Sequence, residues 1–215
     1  MSKRWIVALK VLAHAACLGP VAWLVWRLYL SVTSDPGALG PDPTHTVTFF
    51  TGRGTLRLLV ITLAVTPVRR LIPKLGWLVR FRRMLGLYAF FYACLHLTTY
   101  VWLYAGFSWS AMVDDISQRR FITAGLATWL MLVPLALTST AWSIRKLGGK
   151  NWNRLHWLTY CAAIAGVVHY WWGVKSGVKT PMTITAVLGV LLVARPILNQ
   201  RSALRVQRSD SKLAG

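Results

Sequence analysis

Two stretches of this chain, 84–105 and 121–142, contain no charged side chain at all. At a helical rise of about 1.5 Å per residue, each is long enough to cross a hydrocarbon layer of about 30 Å. Within lipid every backbone N–H and C=O must be satisfied internally, which leaves helices and closed barrels as the spanning structures. Runs this long and this continuously apolar read as helices. Reading on the same basis gives six spans, at about 11–30, 55–71, 84–104, 121–141, 155–172 and 181–198. The expected fold is an all-α integral membrane protein, a six-transmembrane-helix bundle. Composition agrees, since 55% of the residues are hydrophobic and only 14% are charged, a balance that soluble domains avoid.

The second span is the weakest, with Arg57 near its start and Pro67 near its end. The basic residues argue for keeping it. With six spans, 18 of the 25 Lys and Arg fall on one side: three before span one, six from Arg69 to Arg83, four from Arg145 to Arg154 and five from Arg195 onward. The positive-inside rule then puts both termini in the cytoplasm. Removing span two would place the basic N-terminus and the basic 69–83 segment on opposite sides. The chain divides into a cytoplasmic N-terminus, 1–10, a membrane domain, 11–198, and a basic cytoplasmic tail, 199–215, whose polar composition predicts no fixed structure. Lys3, Arg4 and Lys10 precede the first apolar run, and no small-residue cleavage site follows, so the first span is expected to stay uncleaved.

The net charge of +20 does not point to nucleic acid, because the basic residues alternate with apolar spans and there meet lipid headgroups. Trp102, Tyr104 and Trp109, and again Tyr170, Trp171 and Trp172, mark outer interfaces. Cys17, Cys94 and Cys161 form no CxxC pair and read as small core residues. No glycine-rich nucleotide loop is present.

Three histidines lie within apolar stretches, His96, His156 and His169. Ionisable side chains in hydrocarbon usually face a partner or a cofactor. Spans three and five run in the same direction, so depth can be counted from a cytoplasmic basic residue. His96 follows Arg83 by 13 residues and His169 follows Arg154 by 15, roughly 20 and 22 Å along a helix. Two imidazoles at one level can hold one iron from both sides, and imidazole is an ordinary axial ligand of haem. Ala93, Ala162, Ala163, Ala165 and Gly166 offer room for a flat macrocycle, or close helix packing. His156 lies near the inner surface. A His14–His156 centre is one reading of it; contact with a flavin, a quinone or a carboxylate is the other. His45 sits in an outer loop and is expected to be solvated. The acids Asp35, Asp42, Asp114, Asp115 and Asp210 all fall outside the spans, which argues against a proton-coupled transporter. The hydroxyls of Thr138, Ser139 and Thr140 are expected to bond backbone carbonyls.

Arg82-Arg83-Met84-Leu85-Gly86-Leu87 followed by Leu95-His96-Leu97-Thr98 resembles the third span of the MsrQ family, the haem-binding membrane subunits of bacterial periplasmic methionine sulfoxide reductase systems. Thr51-Gly52-Arg53, Thr66-Pro67, Leu137-Thr138-Ser139-Thr140, Arg145-Lys146-Leu147-Gly148, Trp152, Leu155-His156, and His169-Tyr170 with Lys175 fit the same pattern, from about residue 11 to 198. The wider superfamily is the ferric-reductase-like transmembrane domain.

This resemblance implies a multi-pass protein of the bacterial inner membrane that holds b-type haem (heme b) and FMN. It implies electrons taken from the quinol pool or a cytosolic flavin reductase and passed to a periplasmic molybdopterin-dependent methionine sulfoxide reductase, which repairs oxidised envelope proteins. His96 and His169 are then the haem axial ligands, with His156 near a second haem, a flavin or a quinone. Substrate chemistry is expected on the partner. The two-haem pattern of ferric reductases is incomplete, because span three has a single histidine. The outer segments around Arg119–Arg120 and Lys175–Lys179 are candidate docking surfaces. The competing readings are a transmembrane ferric-reductase-type enzyme, which requires a flavoprotein arm, and a haem-free transporter or assembly factor.

Overall fold

A computed structural model describes residues 3–174 and 179–213. The described residues contain helices and turns and no strand. Helix α1 spans Lys3–Thr33 and α2 spans Pro43–Leu71. After a 3-10 segment, Pro73–Leu78, comes α3, Val79–Thr99, which ends in a π-helical turn, Tyr100–Tyr104. Then follow α4 (Trp109–Gln118), α5 (Arg120–Leu137), α6 (Ala141–Leu155), α7 (Leu158–Gly173) and α8 (Lys179–Leu213).

Five of the described helical segments are long and apolar enough to cross a membrane: Arg4–Thr33, Pro43–Leu71, Pro73–Tyr104, Arg120–Leu137 and Lys179–Leu198. The segment expected as span five is α7, whose 16 residues fall short of the roughly 20 that a bilayer core asks for. The lipid-facing character shows in the surface, where Val11, Val25, Val32, Trp102, Val190 and Val193 are all exposed.

Several boundaries differ from the sequence expectation. Helix α2 begins at Pro43, well before residue 55. Asp42 caps it, accepting the His45 N–H at 2.8 Å, and Pro43 suits the first turn, where its missing N–H is not needed. Arg53 is no obstacle, because its Nε donates back to the Phe49 carbonyl at 3.1 Å. Helix α5 stops at Leu137, not 141. Thr138 and Ser139 turn their hydroxyls onto the carbonyls of Pro134 and Leu135, as expected of them. Thr140 does something else: it caps α6 by accepting the Ser143 N–H at 3.0 Å. The inner segment after residue 141 is therefore a helix, broken at Gly148, whose φ of +74° suits only glycine. The tail is helical as well, since α8 continues to Leu213. No glycine or proline lies between Pro196 and Gly215 to end it.

The chain forms two compact units. The first comprises Met1–Thr55 and Phe91–Val113, the second Leu56–Phe90 and Asp114–Gly215. In the first, Leu24, Leu39 and Val47 cluster with Phe50, on which Trp23 stacks at 5.4 Å between ring centroids. Tyr92, 2% exposed, donates its hydroxyl to the Cys17 carbonyl at 2.9 Å and so ties α3 to α1. In the second unit α5 and α7 pack against each other. A Cβ on Gly166 would lie 3.0 Å from Leu56 and 3.5 Å from Thr128, so this small residue serves helix packing. Ala162 and Ala163 are likewise buried. Of the cysteines only Cys17 is a buried core residue; Cys161 is exposed.

Candidate functional site

His96 belongs to the first unit and His169 to the second, and each is held by the helix beside it. The His96 Nδ1 lies 3.0 Å from the carbonyl oxygen of Thr48 on α2. A carbonyl only accepts, so Nδ1 carries the proton and donates it, which leaves the ring's lone pair on Nε2. The Thr51 hydroxyl approaches the same nitrogen at 3.4 Å, while it also reaches the carbonyls of Val47 and Thr48. Gly52 underlies the ring: a Cβ there would stand 3.0 Å from His96 Cε1 and 3.1 Å from Nδ1.

His169 repeats this arrangement on α5. Its Nδ1 donates to the Phe121 carbonyl at 2.6 Å, which again leaves the lone pair on Nε2. Gly125 underlies the ring, with a Cβ there 2.8 Å from both Cε1 and Nδ1. In both places the carbonyl belongs to residue i and the glycine is residue i+4. The spacing has a physical reason. The carbonyl of residue i in a helix already receives the N–H of residue i+4. A ring that shares this carbonyl must pass over residue i+4, and a side chain there would block it.

His156 lies in the turn between α6 and α7, outside both helices. Its ring stacks on Trp152 at 3.7 Å, and Nδ1 donates to the Trp152 carbonyl at 3.1 Å. Trp152 in turn donates from Nε1 to the Thr138 carbonyl at 2.9 Å. Burial pushes the His156 imidazole below its ordinary pKa; its hydrogen bond to Trp152 opposes this, and the nearby Arg82 charge adds to it. His14 is exposed on α1. His45 is exposed too, in the first turn of α2 and not in a loop, stacked on Phe49 at 4.0 Å. Of the docking candidates, Arg119 pairs with Asp115 at 3.0 Å, and Lys175 lies outside the described residues.

No group of three or more His, Cys, Asp or Glu side chains gathers as a metal site among the described residues. A pair of imidazoles is the donor set the chain offers. Sequence reading missed the features that orient them, the Thr48 and Phe121 carbonyls and Gly125. A glycine four residues into an apolar helix was the available signal for the last.

Residues 49–167, more than half of the chain, match the family of ferric reductase like transmembrane components. The chain is 46% identical over 187 residues to the protein-methionine-sulfoxide reductase heme-binding subunit MsrQ of Xanthomonas campestris pv. campestris (strain 8004), covering 87% of this chain and 85% of that one. The subunit of the same name from Xanthomonas axonopodis pv. citri (strain 306) is also 46% identical over 187 residues, with the same coverage. That from Herminiimonas arsenicoxydans is 45% identical over 172 residues, 79% of this chain and 77% of the relative. With both histidine niches lying in or beside the matched region, the chain belongs to the ferric-reductase-like transmembrane family and, within it, to the MsrQ proteins.

Proposed function

We propose that this chain is the haem-binding membrane subunit of a protein-methionine-sulfoxide reductase system, with His96 and His169 supplying the axial imidazoles of one b-type haem. The observation that carries this reading is the repeated niche. Metal-ligating histidines characteristically donate their other ring N–H to a carbonyl or carboxylate, which selects the tautomer and raises ligand basicity. Both rings do so through Nδ1, and both therefore offer Nε2. The donor set fits haem iron. Bound haem supplies a one-electron carrier. The chain's own residues orient the imidazoles, hold their Nδ1 protons on the Thr48 and Phe121 carbonyls, and surround them with apolar helices.

In this reading the protein crosses the bacterial inner membrane six times, with α7 as the fifth span and both termini in the cytoplasm. A short span is tolerated by local thinning of the bilayer. The distribution of Lys and Arg supports the parity. A periplasmic molybdopterin-dependent catalytic subunit accepts the electrons and carries out the substrate chemistry. A quinol pool or a cytosolic flavin reductase donates them, and FMN is the second cofactor. These partners and FMN rest on the resemblance of the residues quoted above.

The test is the dithionite-reduced minus oxidised spectrum of the purified protein in detergent. His96→Ala and His169→Ala are each expected to abolish the main b-type signal, and His156→Ala to spare at least part of it. An unchanged signal in both of the first two variants overturns the ligand assignment. The family's ferric-reductase character supports one alternative acceptor, external ferric iron. Mixing the reduced protein with a periplasmic reductase, and separately with a ferric chelate, shows which one reoxidises it.

A further inference from the structure

The second unit contains a buried basic cluster that the haem reading leaves unused. Arg195 of α8 donates from Nη2 to the Leu63 carbonyl of α2 at 2.7 Å. This acceptor is available because residue 67 is proline and has no N–H to return to the carbonyl four residues earlier. The Arg195 guanidinium also lies over the Tyr160 ring of α7, 4.7 Å from its centroid. Its Nε is buried and has no hydrogen-bond partner.

One turn further along α2, the Thr66 hydroxyl lies 3.4 Å from Nη1 of Arg82, which comes from α3. Leu63 and Thr66 are three residues apart, about 4.5 Å along the helix, so α2 holds the two guanidiniums on adjacent turns of one face. Arg70 and Arg82 are close enough to Arg195 for their charges to act on it, and Arg69 acts likewise on Arg82. Among the described residues no carboxylate pairs with Arg82 or Arg195; the ion pair found is Arg119–Asp115.

Like charges gathered in a half-buried setting repel, and buried charges are ordinarily paired. Here helix geometry assembles them, and among the described residues no carboxylate neutralises them. We propose that Arg82 and Arg195 form a binding site for a phosphate group. A phosphate oxygen accepts the unpartnered Nε–H of Arg195, and the planar guanidinium forks match phosphate geometry. Because Arg82 lies in the first turn of α3 and Arg195 near the end of the apolar part of α8, Lys179–Leu198, two sources carry that chemistry: the monoester of a soluble cofactor and the headgroup of an anionic lipid. The site is argued from Arg82 and Arg195 alone and stands apart from the haem assignment.

The test uses the full chain in two matched pairs of probes. Flavin mononucleotide is titrated against riboflavin in detergent. Nanodiscs of phosphatidylglycerol are compared with nanodiscs of phosphatidylcholine for thermal stability of the protein. Binding of flavin mononucleotide at least tenfold tighter than riboflavin identifies the soluble monoester. Stabilisation by phosphatidylglycerol alone identifies the lipid. In either case Arg195→Gln and Arg82→Gln are expected to remove the discrimination, and Arg195→Lys, which keeps the charge, to retain part of it. The proposal is overturned if neither pair is discriminated, or if discrimination survives both glutamine variants. The haem spectrum is read on the same samples. Discrimination without a His96- and His169-dependent signal sinks the haem reading and keeps this site.

Discussion

The His96 ring rests on α2 in the first unit, and the His169 ring rests on α5 in the second. Each shares a helical carbonyl with a glycine four residues further on, but the two niches differ in tightness. The His96 bond is 3.0 Å, and a methyl group on Gly52 would come no nearer than 3.0 Å to the ring. The His169 bond is 2.6 Å, and a methyl group on Gly125 would come within 2.8 Å of two ring atoms. His96 also has a hydroxyl beside it, that of Thr51, 3.4 Å from Nδ1. The carbonyls differ in position as well. Thr48 lies one turn and more inside α2, and Phe121 is the second residue of α5. The same two-point grip is thus built rigidly once and with some slack once.

Gly125→Ala breaks this contrast most forcefully. The added carbon lies inside van der Waals distance of Cε1 and Nδ1, so the ring must leave the Phe121 carbonyl or α5 must shift. Overpacking of this kind costs about 1–3 kcal/mol. Thermal unfolding in detergent should show that loss, and the b-type signal should weaken or change shape with it. A variant with wild-type stability and an unaltered spectrum would show that the glycine does not set the ring position.

Gly52→Ala is the gentler counterpart. A neighbour at 3.0 Å yields by a few tenths of an ångström, and replacing glycine by alanine within a helix returns up to about 1 kcal/mol. The expected net change in stability is within about 1 kcal/mol of zero. If Gly52→Ala and Gly125→Ala prove equally damaging in the same unfolding measurement, the difference in tightness between the two niches has no energetic meaning.

Much of this was legible in the residues. Charge-free runs announced helices, and the ordered motifs around His96, His156 and His169 led to the family. What escaped notice depended on contacts between helices. The i and i+4 pairing of a carbonyl with a glycine is invisible until the partner helix is known to bring a histidine there. From the sequence, span two starts at about 55, with Arg57 near its start, since nothing there shows that Arg53 bonds its own helix at Phe49. Thr140 stood in an apolar run and read as part of a span, although a threonine followed by a basic, amphipathic stretch is also a helix cap. The tail read as unstructured from its polarity, yet Leu, Arg, Gln, Ala and Lys are good helix formers, and a preceding helix supplies the nucleus that an isolated segment lacks.

Thr51→Val sharpens the contrast with the smallest change. Thr51 is 1% exposed, and valine has nearly its shape. The hydroxyl hydrogen is directed at the carbonyls of Val47 and Thr48, and one lone pair faces the His96 N–H at 3.4 Å. Both carbonyls also lie within the continuous helix α2, so losing the hydroxyl costs less than an ordinary hydrogen bond, under about 1 kcal/mol. The electronic effect is more specific. If His96 ligates the haem iron as proposed, removing a second acceptor from the Nδ1–H would make the imidazole a slightly weaker donor, which would favour the reduced state and raise the midpoint potential. A redox titration of Thr51→Val should therefore move upward from the wild type while the unfolding temperature stays nearly constant. A downward shift would mean that Thr51 acts on His96 in some way other than as an acceptor.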